Sequence, residues 1–325
     1  MGNTNALKIA VTGAAGFIGR AVVERIAGGA LGPVADLRLN DVQAFTHPNA
    51  TVIRGTYADE AVRQQLNGDG VDLLFHLASL PGGASERDPA LGRSVNLDGT
   101  IALIDAVAGH GGKAAAPVVV YTSSIAALGM GDAPVTGATA LRPGGSYGTH
   151  KAMVELYLAD LTRRGLVDAR CVRPSGIVAR PKEAYSGFAT AWMSDLFHAA
   201  VERRPITVPA NGDTQFWLQS IDVVADNIVH AAAMSGEGLS AHRAWTLPAT
   251  VVRAESLVAA LECRTGHKLD VDYAGGPMKQ PLLDASDALG IGFISDGDTQ
   301  ALVDAVVSQI ERQQSAGLVA TADIP

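Results

Sequence analysis

The sequence has very little cysteine: its 325 residues include only Cys171 and Cys263, which lie far apart and form no CxxC pair. A disulfide framework or a thiolate metal cluster needs several cysteines at close spacing. We therefore expect two reduced structural thiols, no metal site and a cytoplasmic protein.

Long apolar runs and excess positive charge are also missing. No apolar run approaches the ~18 residues of a membrane-spanning helix, and the N-terminus has no signal-peptide pattern. The chain carries 25 Lys+Arg against 33 Asp+Glu, a net charge of -8. We expect neither nucleic acid nor membrane as a partner, and an anionic small-molecule ligand would need a local positive site.

What the sequence does have is an alternation of buried-strand and helical patterns. We predict strands at 7–12, 37–41, 51–54, 71–77, 117–121 and 170–173, with helices at about 17–26, 61–66, 89–107 and 147–164. This alternation predicts an α/β fold, a doubly wound parallel sheet (Rossmann) with a smaller C-terminal substrate-binding lobe. We expect residues 1–175 and about 219–247 to form the first domain, and about 176–218 and 248–325 the second.

A glycine-rich turn follows the first strand, with Gly13, Gly16 and Gly19 ahead of a helical pattern. Strand, glycine turn and helix form the context in which a dinucleotide pyrophosphate is bound, the helix N-terminus favouring its negative charge. The first gap has one residue more than the commonest fingerprint. An ordinary glycine-rich turn is the alternative.

Asp41 ends the second predicted strand, 22 residues after Gly19. An acid at about this distance accepts from the adenosine ribose hydroxyls and would repel a 2′-phosphate, so we expect NAD rather than NADP. Arg38 weakens this expectation, although alternation along the strand should point it away from Asp41. A turn residue closing the strand is the alternative.

Tyr147 and Lys151 are four residues apart on a predicted helix, so their side chains lie one turn apart on one face. A nearby ammonium lowers a phenol pKa, and a tyrosine tuned in this way can exchange a proton with an alcohol. This spacing is also common by chance.

Five motifs in order resemble the extended short-chain dehydrogenases/reductases: TGAAGFIG, FHLAS, VNLDGT, YTSS and YGTHK. The resemblance covers roughly the first 180 residues. It implies Ser124, Tyr147 and Lys151 as catalytic residues, with Asn96 helping to place Lys151 and Ser123 packing beneath Ser124. It implies an NAD site formed by Gly13, Gly16, Phe17, Ile18, Gly19, Asp41, Leu77, Ala78, Ser79, Tyr147, Lys151, Pro174 and Ile177.

The second half narrows the reaction. Nucleotide-sugar members of the family carry an asparagine where this chain has Gly176 and an arginine where it has Gln215. The chain instead resembles the D-erythronate dehydrogenases and other sugar-acid enzymes, which implies NAD-dependent oxidation of the 2-hydroxyl of a four-carbon aldonate. Arg180 is our candidate for the substrate carboxylate, with Arg142 and Lys182 as rivals. We expect the substrate pocket to be lined by Ser79, Ser124, Tyr147, Arg180, Ser186 and Trp217.

Two other functions and one assembly remain open at this point. The chain could be a nucleotide-sugar epimerase or dehydratase that keeps its NAD, or a non-catalytic dinucleotide sensor. The helices at 89–107 and 147–164 are apolar on more than one side, and many relatives pair these helices across a two-fold axis. We therefore expect a homodimer; coverage by the chain's own loops is the alternative.

Overall fold

The central element of the fold is a seven-stranded parallel sheet. The computed structural model describes residues 6–109, 115–131, 133–181, 190–240, 242–276 and 280–315. The sheet has the order β10-β6-β5-β4-β1-β2-β3, and all its pairings are parallel. Its strands are β1 Leu7–Thr12, β2 Val34–Asp41, β3 Thr51–Arg54, β4 Leu73–His76, β5 Val118–Thr122, β6 Asp168–Arg173 and β10 Ala244–Thr246.

Helices cover both faces of this sheet, as the predicted doubly wound fold requires. On one face α1 Phe17–Ala27 and α8 Ile221–Ala233 bury an apolar cluster against the strands. On the other face a second apolar cluster lies between the strands and the helices α2 Glu60–Asn67, α5 Thr100–Ala108 and α6 Ser146–Arg163. Each fully buried Leu, Ile or Val side chain in these clusters contributes roughly 1.5–3 kcal/mol.

The predicted helix at 89–107 is not continuous. The structure has α3 Gly82–Arg87 and α4 Pro89–Arg93, then a π-helical turn at Ser94–Gly99 that leads into α5. The widened turn leaves the Val95 carbonyl to accept from the Tyr57 hydroxyl at 3.0 Å and from the Thr100 hydroxyl at 3.2 Å. A tertiary contact of this kind has no signature in helical periodicity, so the interruption was missed.

Most of the remaining elements form a second lobe with its own apolar cluster. A three-stranded sheet has the order β11-β9-β7, and β12 pairs with β8. The strands are β7 Gly176–Val178, β8 Ile206–Val208, β9 Gln215–Ser220, β11 Thr250–Arg253 and β12 Val271–Tyr273. Its helices are α7 Ala191–Glu202, α9 Ala254–Thr265 and α11 Thr299–Ser315, and the short helix α10 Ser286–Leu289 lies between α9 and α11 in the chain.

One segment departs from the expected division of the chain. Ala288 and Phe293 belong to the cluster beneath the large sheet, together with α1 and α8, although we expected all of 248–325 in the second lobe. The side chain of His230 on α8 meets the Phe293 ring edge to face, at 5.2 Å between centroids. No described helix is both long and apolar enough to cross a membrane.

Candidate active site

The predicted site residues follow strands whose carboxyl ends share one edge of the sheet. Gly13 follows β1, Ser79 lies shortly after β4, Ser124 after β5 and Pro174 after β6, and Asp41 ends β2. The strand order reverses between β1 and β4, and in doubly wound sheets the crevice at such a point is where ligands bind.

The glycine turn approaches its surroundings too closely for side chains. Gly13 has a positive φ of 73°, and a Cβ there would lie 2.8 Å from the Ala78 Cα atom. A Cβ on Gly19 would lie 2.0 Å from the Gly13 carbonyl oxygen. Gly16 caps α1 without a side-chain hydrogen bond, so the first backbone N–H groups of the helix are open to an anion. This cradle fits a dinucleotide pyrophosphate.

The Asp41 carboxylate is held at the rim of this turn. Its two oxygens accept from the backbone N–H groups of Ala15 and Gln43, each at 3.0 Å. Arg38 faces away, as expected: its guanidinium donates to the Asn67 carbonyl at 2.7 Å and pairs with Asp36. In the described part of the chain, Arg38 therefore does not lie beside the Asp41 carboxylate.

The first turn of α6 lies directly on the backbone that follows β5. A Cβ on Gly148 would lie 2.0 Å from the Ala126 carbonyl oxygen, so only glycine allows this approach. The Ser146 N–H donates to Glu86 at 2.6 Å, which fixes the start of the helix. The approach brings Tyr147 to the residues that follow β4 and β5.

The Tyr147 hydroxyl is the point at which the site converges. The side chains of Ser79, Ser124 and Arg180 surround it and act on its ionisation. Burial raises the pKa of Tyr147, whereas Ser79, Arg180 and Ser124 each lower it. Ser124 also accepts from the Ala126 N–H at 3.1 Å, while Ser123 is buried beneath it and donates to Glu155.

Lys151 is buried close to the Tyr147 ring. It lies one turn after Tyr147 as predicted, with Nζ donating to the Thr122 carbonyl at 2.7 Å and lying 5.5 Å from the Tyr147 ring centroid. Burial lowers the pKa of Lys151 to about 7. The groups that lower the Tyr147 pKa are Ser79, Arg180 and Ser124. A lowering of that pKa by Lys151 stays a prediction.

Asn96 does not contact Lys151 through any described hydrogen bond. Its amide brackets Leu80 instead, accepting from the Leu80 N–H at 2.7 Å and donating to the Leu80 carbonyl at 2.9 Å. It also donates to the Ser85 hydroxyl at 3.0 Å. The π-helical turn aims Asn96 at this loop, so it supports the segment that carries Ser79 rather than the lysine.

The remaining predicted residues divide into three groups. Arg180 is partly buried near Tyr147, and its Nε donates to the Ile177 carbonyl at 3.4 Å. Trp217 is fully buried against Leu128 and Val135, with its indole N–H donating to the Pro281 carbonyl, so the prediction that it lines the pocket was wrong. Ser186 and Lys182 lie outside the described residues.

The Tyr147 side chain lines a groove, and a small cavity lies beside Arg180. The groove encloses about 680 Å³ and is lined by Gly82, Glu86, Met130, Arg142 and Tyr147, among others. The cavity holds about 50 Å³ and has Ser175, Arg180, Thr190 and Ser194 in its wall. Sequence reasoning missed Glu86, because nothing in its local pattern links it to a helix 60 residues later.

The chain matches the model of the NAD dependent epimerase/dehydratase family over residues 9–244. A D-erythronate dehydrogenase of Cupriavidus necator is 31% identical, over 91% of this chain and 97% of the relative. The Haemophilus influenzae D-erythronate dehydrogenase is 26% identical, over 91% and 98%. Among solved structures, a nucleoside-diphosphate-sugar epimerase from Agrobacterium tumefaciens superposes with a TM-score of 0.85 at 26% identity, over 97% and 98%.

The position of Asp41 generates a prediction about cofactor choice. We expect NADH to bind tighter than NADPH. Asp41→Asn should weaken NADH binding by roughly 10-fold, because a hydrogen bond to a charged group is lost. It should also narrow the difference between the NADH and NADPH affinities, because the charge that repels the 2′-phosphate is removed. Cofactor fluorescence measures both dissociation constants. Asp36→Asn, on the same strand but paired with Arg38, is the control; equal wild-type affinities would show that Asp41 does not select the cofactor.

Proposed function

Because the chain belongs to the NAD dependent epimerase/dehydratase family, we propose that it is an NAD-dependent dehydrogenase acting on the CH–OH group of a small sugar acid. In this proposal it oxidises the 2-hydroxyl of a D-erythronate-like aldonate to the 2-keto acid in the cytoplasm. The observation that carries the proposal is the convergence of Ser79, Ser124 and Arg180 on the Tyr147 hydroxyl.

Arg180 supports an acid as the substrate. It places a guanidinium near the proposed base, beside a small cavity whose wall also includes Thr190 and Ser194. Guanidinium and hydroxyl donors are the groups that recognise a carboxylate. The remaining hydroxyls of the substrate would then lie towards the groove that opens on Tyr147.

Gly176 and Gln215 argue against a nucleotide-sugar substrate. Gly176 pairs with Leu218 across β7 and β9, and a Cβ there would lie 2.8 Å from the Trp217 carbonyl oxygen. The backbone therefore leaves no room for the asparagine expected in nucleotide-sugar members. Gln215 begins β9 with a neutral side chain where those members carry the arginine that grips the diphosphate. Both positions favour the dehydrogenase over the epimerase.

The proposed mechanism assigns one task to each residue. When bound, NAD would supply the acceptor for the hydride that leaves C2. Ser124 hydrogen-bonds the substrate hydroxyl, and Tyr147, as phenolate, takes the proton of that hydroxyl as the general base. The positive charge of Arg180 and the Ser79 hydroxyl favour the ionised form of the Tyr147 oxygen. Lys151 would hold the nicotinamide ribose, the backbone at Pro174 and Ile177 would hold the carboxamide, and the glycine turn would hold the pyrophosphate.

The proposed assembly is a homodimer through α6 and the helices that flank it. The π-helical turn and α4 pack beside α6. Met153 and Leu156 on α6 are 46% and 57% exposed, and Leu91 on α4 is 47% exposed. Leu97, Leu103 and Leu158 on the same helices are buried in the chain's own core. Met153, Leu156 and Leu91 therefore form an exposed stripe, which a second copy of the chain would cover.

Replacing Tyr147 with phenylalanine tests the proposed base. Tyr147→Phe should lower kcat by at least ~1000-fold because no group remains to take the proton, while NADH binding persists. Turnover is measured as NADH absorbance on a panel of aldonates and other hydroxy acids with NAD. Tyr157→Phe, on the same helix with its hydroxyl bonded to Asp105, is the matched control. Stoichiometric NADH release by the wild-type enzyme would exclude an epimerase that retains its cofactor. Wild-type activity in Tyr147→Phe would show that Tyr147 is not the general base.

Replacing Arg180 tests the carboxylate site. Arg180→Met should raise KM for the acid by about 10- to 100-fold, since a charge-assisted hydrogen bond is lost. It should also move the acidic limb of the kcat/KM profile to higher pH, because Arg180 lowers the Tyr147 pKa and its removal lets that pKa rise. Arg142→Met is made in parallel. If Arg142→Met raises KM more than Arg180→Met does, the carboxylate-binding role is assigned to Arg142 instead.

The dimer is tested by charging the exposed stripe. Light scattering at micromolar concentration should give twice the mass of one chain for wild type and the mass of one chain for Leu156→Glu, because a charge is then buried without a partner. Leu289→Glu, at a 52% exposed position on α10, should leave the mass unchanged. A wild-type monomer would overturn the proposed interface.

A further inference from the structure

A buried ion pair lies directly behind the proposed catalytic residues. Arg173 Nε donates to Glu155 Oε1 at 2.9 Å, and Arg173 Nη2 donates to Glu155 Oε2 at 2.5 Å. The Arg173 side chain is 1% exposed and that of Glu155 is fully buried. The Ser123 hydroxyl donates to the same Glu155 oxygen that Arg173 Nε contacts. The mechanism proposed above uses none of these three side chains.

Each member of this cluster stands next to a residue of the site. Glu155 follows Lys151 by one turn of α6, and Ser123 immediately precedes Ser124. Arg173 is the last residue of β6, so it immediately precedes Pro174. The Ser123 N–H also donates to the Val172 carbonyl at 2.8 Å, which ties the ends of β5 and β6 together. The cluster therefore joins the three elements from which the proton-transfer group and the nicotinamide contacts extend.

Stability alone is a weak reason for burying this pair. The desolvation of two charges offsets most of their attraction, and well-packed apolar side chains of similar volume are often as stable. A forked arginine–carboxylate pair does fix geometry, because its two parallel hydrogen bonds allow one relative orientation. The pair is suited to holding α6 at one rotation against the two strand ends.

The pair also acts on Lys151. The titratable and charged groups facing the ammonium are Tyr147 and Glu155 on α6, Tyr121 on β5, Cys171 on β6 and His76 on β4. Glu155 is the one carboxylate among them and raises the pKa of Lys151, against a larger lowering by burial. Arg173 lies behind Glu155 and forms an ion pair with its carboxylate.

We propose that Glu155 and Arg173 are positioning residues, which place Ser124 through Ser123 and keep Lys151 aligned without touching the substrate. The inference rests on the proposed roles of Ser124, Tyr147 and Lys151, and not on the identity of the hydroxy acid.

A double variant separates positioning from stability. Glu155→Leu/Arg173→Met removes both charges together, so neither is left buried alone. We expect it to fold, with kcat about 10- to 100-fold lower because the reacting groups are misplaced, and with NADH affinity reduced by about 10-fold. The alkaline limb of its kcat profile should move to lower pH, since Lys151 without Glu155 loses its proton earlier.

Two single variants complete the experiment. Ser123→Ala removes the hydroxyl link between the pair and the Ser124 segment and should lower kcat about 10-fold while the urea unfolding midpoint stays near that of wild type. Arg170→Met, a buried arginine on the same strand paired with Asp168, is the matched control and should leave kcat and NADH affinity unchanged.

The outcomes are distinct. A folded double variant with wild-type kcat, NADH affinity and pH profile overturns the proposal; if the double variant does not fold, unchanged kcat in Ser123→Ala overturns it. NADH affinity needs no substrate. If wild type oxidises no acid on the panel, the proposed function fails, and the NADH affinities of the double variant and of Arg170→Met still decide the positioning role.

Discussion

The contact on which the site depends is that of the α6 backbone with the chain leaving β5. Gly148 allows it, since any Cβ would enter the Ala126 carbonyl. Three side chains spaced by one helical turn then meet three consecutive residues: Tyr147 the Ser124 hydroxyl, Lys151 the Thr122 carbonyl and Glu155 the Ser123 hydroxyl. A rotation or shift of the helix would break all three contacts together.

This contact also creates the electrostatic problem that the site must solve. Burial raises the Tyr147 pKa and lowers the Lys151 pKa to about 7, so it disfavours both charges that the proposed mechanism needs. A phenolate and an ammonium stabilise each other, which couples the two titrations. Arg180 favours the phenolate and Glu155 the ammonium, so each charge has a counterpart from beyond the pair.

Residues with local signatures could be predicted from the sequence. Apolar runs located six strands of the large sheet but not the short strand β10, the glycine turn lies after β1, and Tyr147 and Lys151 share a helix face. The errors concern residues placed by distant contacts: Asn96 by a π-helical turn, Trp217 by the Pro281 carbonyl, and Phe293 by α8. Glu155 did carry a signal, because it extends the series of Tyr147 and Lys151 by one more turn. Its partner Arg173 lies on another element, so periodicity alone could not show that the charge was paired.

The separation of chemistry from recognition explains how one fold can serve several substrates. The proposed proton-transfer residues Ser124, Tyr147 and Lys151 lie on the large sheet and α6, whereas Arg180 follows β7 in the smaller sheet. The junction is Gln219 on β9, which accepts from Ser175 at 2.9 Å and donates to the Pro248 carbonyl at 2.8 Å. Changes on β7 and β9, such as glycine at 176 or glutamine at 215, can therefore alter what is bound without moving α6. Fold alone does not decide the reaction for this reason, and the substrate must be argued from the side chains of the second lobe.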